Sequence, residues 1–89
     1  MRAKHRSWYM YVVECIDGSY YCGITTDLRR RVSEHNTSSR GAKYTRSRRP
    51  VHLVHHVVCK NKSEAILNEN YFKSLKRADK ESFLSSRLP

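Results

Sequence analysis

Two tyrosine-bearing tripeptides, Tyr9-Met10-Tyr11 and Tyr21-Cys22-Gly23, precede an arginine run in Asp27-Leu28-Arg29-Arg30-Arg31, and a lone carboxylate, Glu69, lies among apolar residues far downstream. Phenols, guanidinium groups and carboxylates can move protons, neutralise phosphate charge and hold a divalent cation. Arg31 and His35 lie one helical turn apart and flank an aliphatic pair, Leu28 and Val32. At such a border a side chain can leave the core and enter a cleft. Glu69 has the same character, since it falls between Ala65 and Phe72 at the edge of an apolar stripe. A carboxylate there either pairs with a lysine or binds a metal. Arg40, Lys43, Tyr44, Thr45, Arg46, Arg48 and Arg49 gather basic groups around one aromatic ring. That composition suits phosphate contacts and base stacking, although unstructured basic linkers share it.

These residues must be positioned by a small fold. At 89 residues the chain supports one domain with one modest core. Lys and Arg number 18 against 8 acids, a net charge of +10, which favours a polyanionic partner, most simply nucleic acid. The excess is uneven: residues 27–49 hold eight Lys/Arg and two acids, so more than half of the net charge sits in about a quarter of the chain. Cys15, Cys22 and Cys59 are odd in number, widely spaced and set in apolar runs, and read as reduced core residues of a reducing, intracellular compartment. The five histidines lack the paired spacing of a zinc site. No apolar run reaches the length of a membrane span, and residues 1–7 form a basic segment without the apolar core of a signal peptide.

The expected elements are two strands, a helix, a basic loop, a third strand and a long helix. Residues 8–15 and 19–24 are aromatic and β-branched around Asp17-Gly18, which predicts a hairpin. A two-residue turn would put Tyr11 and Tyr21 on opposite faces. A three-residue loop, Ile16-Asp17-Gly18 with Gly18 left-handed beside a bulge, pairs Cys15 with Ser19 and puts both tyrosines on one face. The second register is favoured, because it separates Tyr9, Tyr11, Val13, Tyr21 and Gly23 from an apolar face of Met10, Val12, Cys22 and Ile24. Thr25-Thr26-Asp27 then caps a helix running to about Asn36. Residues 37–50 read as an exposed loop with one helical turn around Ala42-Tyr44. Val51 to Cys59 is so apolar that it is expected as the central strand, with Val51, Leu53, His55, Val57 and Cys59 on one face. Ser63 is expected to cap a helix continuing to about Ala78, with Leu67, Tyr71, Phe72, Leu75 and Ala78 as its buried stripe and Lys73, Lys76, Arg77, Lys80 and Arg87 as a basic end.

The two tripeptides, the interval between their tyrosines and the following arginine resemble the GIY-YIG nuclease family over about residues 8–85, in its small single-domain branch related to structure-selective repair endonucleases. The resemblance implies an α+β fold, a small three-stranded antiparallel sheet flanked by helices, with residues 86–89 as a short tail. It also implies a phosphodiester-hydrolysing, metal-dependent DNA endonuclease, with RNA not excluded. Tyr11 stands as general base and Tyr21 as its partner in positioning the attacking water. Arg31 falls at the catalytic arginine, His35 at an assisting position one turn later, and Glu69 at the ligand of Mg²⁺ or Mn²⁺. Gly23 of the second motif and Arg40, Lys43, Tyr44, Thr45, Arg46, Arg48 and Arg49 would line the nucleic acid. Gly41-Ala42-Lys43-Tyr44-Thr45-Arg46 is similar to a loop of that branch.

Tyr9 replaces the glycine of the first motif, Cys22 the isoleucine of the second, and no late asparagine follows Glu69 except the adjacent Asn70. A phenol is a poor base at its usual pKa of about 10 and needs nearby positive charge, which Arg31 and a metal would supply. Branched, flapped or single-strand-containing DNA in repair or recombination is the substrate class this branch implies. A chain this short would take specificity from a homodimer or a protein partner. Two other readings fit the same composition: a binding module whose catalysis has decayed, and an assembly protein that meets acidic partners.

Overall fold

The computed structural model describes residues 7–85. The basic segment before Ser7, the tail 86–89 and Arg87 of the expected basic end lie outside the described residues. Seven elements follow in order: β1 (Trp8–Glu14), β2 (Tyr20–Thr25), α1 (Leu28–Thr37), α2 (Lys43–Arg46), β3 (His52–Cys59), α3 (Lys62–Ser74) and α4 (Arg77–Ser85). The three strands form one antiparallel sheet in the order β2-β1-β3, the α+β architecture expected.

The hairpin takes the three-residue loop. The Cys15 N–H donates to the Ser19 carbonyl at 2.8 Å, the Gly18 N–H donates to the Cys15 carbonyl, and Gly18 sits at φ +84°, a conformation glycine adopts without steric cost. Tyr11 therefore opposes Gly23 and Val13 opposes Tyr21, so both tyrosines share a face. Tyr11, Val13, Cys15 and Val51 form one buried cluster, covered by Leu28 and Val32 of α1 and flanked by Tyr21. Met10, Val12, Cys22 and Phe72 form the other, with Leu75, Phe83 and Leu84 packed against them. All three cysteines are buried and free.

Four expectations about the second half need correction. The central strand is β1, and β3 is an edge. Its apolar run reflects contact along one side only, and Leu53, Val54 and Val58 are exposed. The pairing also slips between Val12 and Val13, where β3 skips from His55 to Leu53. The extra residue, Val54, reverses the alternation, so Val51 joins the Tyr11 cluster while Val57 joins the Met10 cluster. A strict period of two could not show that. The α3 cap is Asn61, whose side chain accepts from the Glu64 N–H at 2.9 Å while the Glu64 carboxylate accepts from the Lys60 N–H at 2.6 Å, and not Ser63. Finally, α3 stops at an extended Leu75 and the chain folds back as α4. No Gly or Pro marks that break; the reward is tertiary. Phe83 meets Phe72 at 5.8 Å between ring centroids, and the Arg77 guanidinium lies over the Tyr20 ring and donates to the Gly18 carbonyl.

The buried face of α3 is accordingly Ala65 and Phe72, with Asn68 and Glu69 half-buried, whereas Leu67 and Tyr71 of the expected stripe are exposed at 69% and 58%. Phe72→Ala should cost about 3–5 kcal/mol, a large share of what so small a domain has, whereas Leu67→Ala should change stability by no more than about 0.5 kcal/mol. Urea unfolding of the two variants checks this, and similar losses from both would contradict the placement of the stripe.

Candidate active site

The α1 helix presents Arg31 and His35 to the Tyr11 face of the sheet because Asp27 and Thr25 fix its start. The Asp27 carboxylate accepts from the Arg30 N–H at 3.0 Å, and the Thr25 hydroxyl accepts from the Asp27 N–H. Its end is fixed from outside. Arg49 donates to the carbonyls of His35 and Ser38, and Asn36 exchanges two hydrogen bonds with the Val51 backbone, at 2.9 and 2.7 Å. Arg49 thus serves the orphan carbonyls of a helix terminus rather than presenting its guanidinium outward. Asn36, which the sequence reading left out, splices α1 to the start of β3.

On that frame stands a continuous polar chain inside the core. The Tyr11 hydroxyl lies 2.7 Å from His35 Nε2, and His35 Nδ1 lies 2.9 Å from the Thr45 hydroxyl. Thr45 donates onward to the Ala42 carbonyl at 2.9 Å. Since Thr45 spends its proton on Ala42, Nδ1–H donating to Thr45 and Nε2 accepting from the Tyr11 phenol satisfy both side-chain partners of the ring, whereas the Ala42 N–H, directed at Nδ1 from 3.3 Å, is matched only by the other tautomer. The Arg31 guanidinium lies near enough to Tyr11 to pull against the rise of its phenol pKa. It also donates to the Glu34 carboxylate at 3.0 Å and to the Arg40 carbonyl at 2.8 Å, which ties the loop to the helix. Tyr11, His35 and Thr45 are fully buried, so Thr45 cannot serve as a surface contact to nucleic acid as the sequence suggested.

Gly23 is a second correction of that kind. It is buried on β2 opposite Tyr11, and a Cβ added there would fall 2.6 Å from the Tyr11 hydroxyl oxygen. Its part is to leave room for the phenol. Tyr44 also departs from a free stacking platform: its ring stacks on Tyr21 at 6.0 Å and 23°, with the Arg48 guanidinium 3.9 Å from its centroid. Arg40, Lys43 and Arg46 remain exposed, with Arg46 donating to the Ser39 carbonyl. Tyr21 is half-buried, its ring edge-on to His35 at 5.3 Å.

Burial dominates the electrostatics. It pushes the Tyr11 phenol up to about 12 despite the opposing pull of Arg31, so Arg31 alone does not make the base that a low phenol pKa would provide. Burial, then the Arg31 charge, lowers His35 to about 4, which keeps the imidazole neutral and able to accept. Across the sheet Glu69 pairs with Lys73 at 3.0 Å, its side chain 18% exposed. The pair lies by Cys22 and Tyr21, whose neighbours Tyr20, Tyr44, Phe72, Lys73 and Lys80 line one cleft beside the β2 edge. Lys73 could have been found from its i,i+4 spacing to Glu69. One half-buried carboxylate is a donor set that fits Mg²⁺ or Mn²⁺ when waters and phosphate oxygens complete the shell. No group of three or more His, Cys, Asp or Glu side chains able to hold a metal on their own occurs among the described residues.

The lowered His35 value has a signed consequence. Between about pH 6.5 and 4 the unfolded chain binds a proton at His35 that the folded one refuses, so stability is full above pH 6.5 and is lost as pH falls toward 4. One such proton gives a slope of up to about 1.4 kcal/mol per pH unit. Urea midpoints measured across that window should fall for the wild type and fall less for His35→Gln. Equal slopes would contradict a buried neutral imidazole.

Comparison with known proteins bears on the domain as a whole. The family described as the GIY-YIG catalytic domain matches residues 7–82. A UPF0213 protein of Streptococcus pneumoniae is 57% identical over 77 residues, 86% of this chain and 77% of that one. A UPF0213 protein of Desulfotalea psychrophila is 46% identical over 80 residues, 90% and 73% respectively. The solution structure of a UPF0213 protein from Bacillus halodurans superposes with a TM-score of 0.60 at 44% identity, covering 91% of this chain and 85% of that one. The solution structure of the protein EF2693 from E. faecalis gives a TM-score of 0.62 at 46% identity, covering 97% of this chain and 90% of that one. Matched by the family model over most of its length and sharing its fold with these solved structures, the chain belongs to the GIY-YIG catalytic-domain family.

Proposed function

We propose that the chain is a metal-dependent DNA endonuclease that hydrolyses phosphodiester bonds in branched, flapped or single-strand-containing DNA, in repair or recombination. The observation that supports it most is the Tyr11 phenol held between a cation, Arg31, and a neutral proton acceptor, His35. A buried phenol at about 12 would be a poor base if it had to ionise first. With His35 at 2.7 Å it need not: once substrate binding admits a water to the Tyr11 oxygen, which is buried without it, the water proton would move there as the phenol proton passes to Nε2. The hydroxide would attack phosphorus, the P–O bond to the leaving deoxyribose oxygen would break as that oxygen takes a proton from solvent, and Thr45 would hold the ring that becomes imidazolium. Arg31 would stabilise the equatorial oxygens, and for that it would exchange its contact with Glu34 for the phosphate. Tyr21, beside His35, would orient the water. Glu69, across the sheet from Tyr11, would hold the divalent ion beside the β2 edge, where it would supply charge neutralisation to a phosphodiester lying over that edge.

Arg40, Lys43 and Arg46 would track the backbone, which accords with their exposure and with the net charge of +10. Free, buried cysteines suit a reducing compartment. A non-catalytic DNA-binding module is favoured by one observation, the Glu69–Lys73 pair, in which a lysine already satisfies the proposed metal ligand. Labelled duplex, single-stranded, flapped and branched DNAs separate the two. The nuclease reading expects cutting with Mg²⁺ or Mn²⁺, none with chelator, and losses of at least about a hundredfold in kcat for Tyr11→Phe and Glu69→Gln with binding kept. Salt-sensitive binding without cutting under either metal would leave the binding module.

A further inference from the structure

The second tyrosine of the site is held by residues outside the motifs. The Asp17 carboxylate, in the hairpin loop, accepts from Arg48 Nε at 3.1 Å, and Arg48 in turn donates to the Tyr44 carbonyl at 2.8 Å. The same guanidinium lies 3.9 Å from the centroid of the Tyr44 ring, which stacks on Tyr21. Tyr21 then meets His35 edge-on at 5.3 Å, and Thr45, next to Tyr44, bonds that imidazole. The Ile16 N–H donates to the Arg48 carbonyl at 3.0 Å, so loop and hairpin are also joined through the backbone.

We propose that Arg48 and Tyr44 are positioning residues that clamp the Tyr21 ring against His35, a role that rests on Tyr21 belonging to the nucleolytic site. Three observations favour this over a phosphate contact at Arg48. Its charge is already countered by Asp17, and two of its nitrogens already donate within the protein. Its ring partner is the one aromatic side chain stacked on Tyr21 among the described residues. The exposed Arg40, Lys43 and Arg46 of the same loop meet the need for phosphate contacts without it. Half-buried at the edge strand β2, Tyr21 lacks the full burial that fixes Tyr11, and a ring misplaced by an ångström can lower a rate by orders of magnitude.

The test compares Arg48→Ala, Tyr44→Leu, Tyr44→Phe and, as a phosphate-contact control, Arg46→Ala. Cleavage of flapped DNA gives kcat and KM, binding in chelator gives the salt slope, and carbon-13 tyrosine spectra report the Tyr21 ring. The clamp expects Arg48→Ala and Tyr44→Leu to lower kcat roughly tenfold to a hundredfold with KM and salt slope unchanged, and to move the Tyr21 resonances toward free tyrosine. Tyr44→Phe keeps the stacked ring and should retain activity, and Arg46→Ala, the loss of a phosphate contact, should raise KM and lower the salt slope by about one while the Tyr21 resonances stay in place. Arg48→Ala behaving as Arg46→Ala does would overturn the clamp, and so would Tyr21 resonances that stay put. A wild type that cuts nothing would sink the nuclease reading instead, and the ring resonances would still decide whether the clamp exists.

Discussion

A hydrogen-bonded chain buried in the core, from Tyr11 through His35 to Thr45, is the constraint around which the small domain is arranged. Three polar side chains without solvent access are tolerated only when every donor and acceptor is met, and leaving one unmet costs about 1–3 kcal/mol. That requirement reaches outward. Tyr11 needs a glycine opposite it on β2, because a side chain at Gly23 would enter the space of its hydroxyl. His35 needs the end of α1 in one place, which Arg49 and Asn36 secure. Thr45 needs the short α2 turn, whose backbone carries Ala42 to its hydroxyl. Residues that share no sequence neighbourhood are thus committed to one geometry.

The first half of this fold was legible because its signals are local. Asp17-Gly18 with Cys15 and Ser19 sets the hairpin register, and the register alone puts Tyr11 and Tyr21 on one face. Asp27 caps α1, and the spacing of Leu28, Val32, Arg31 and His35 sets which side faces the sheet. The second half was harder because its decisive features are non-local. A bulge at Val54 reverses the faces of β3 with no glycine to announce it. The break at Leu75 rests on Phe83 and Leu84 finding the sheet, a contact that no residue between Ser74 and Arg77 encodes. Strand order likewise followed neither length nor hydrophobicity: β1, flanked by both partners, is the more deeply buried, while the greasier-looking β3 has one open side.

The loop from Arg40 to Arg49 shows where reading charge as partner runs out. Seven of its residues suggested a nucleic-acid surface, and the basic ones divide into two populations. Arg49 and Arg48 are half-buried and spend their donors on carbonyls and a carboxylate of the protein itself. Arg40, Lys43 and Arg46 face solvent. Composition cannot separate these groups, because an arginine closing a helix end and one awaiting a phosphate look alike until the carbonyls are located. The division also explains how a domain with a net charge of +10 keeps an ordered loop: the internal arginines are fixed by hydrogen bonds that offset their mutual repulsion.

In the roles proposed for them, Glu69 and Arg31 would share a design that links substrate to chemistry. Each proposed catalytic charge already has an internal counter-ion, Lys73 for the glutamate and Glu34 for the arginine, at 3.0 Å in both cases. Both partners are neighbours on the same helix, so either contact can be surrendered by a rotamer change without disturbing the backbone. Ion pairs between neighbours three or four apart on one helix are worth little, about 0.2–0.5 kcal/mol, which a phosphate and a divalent ion would exceed readily. An incoming phosphodiester would draw Arg31 away from Glu34 and Lys73 away from Glu69, and the carboxylate so released would be free for a cation arriving with the phosphate. On this account the ion pairs do not argue against catalysis; they hold the charged side chains near their working positions while no polyanion is bound.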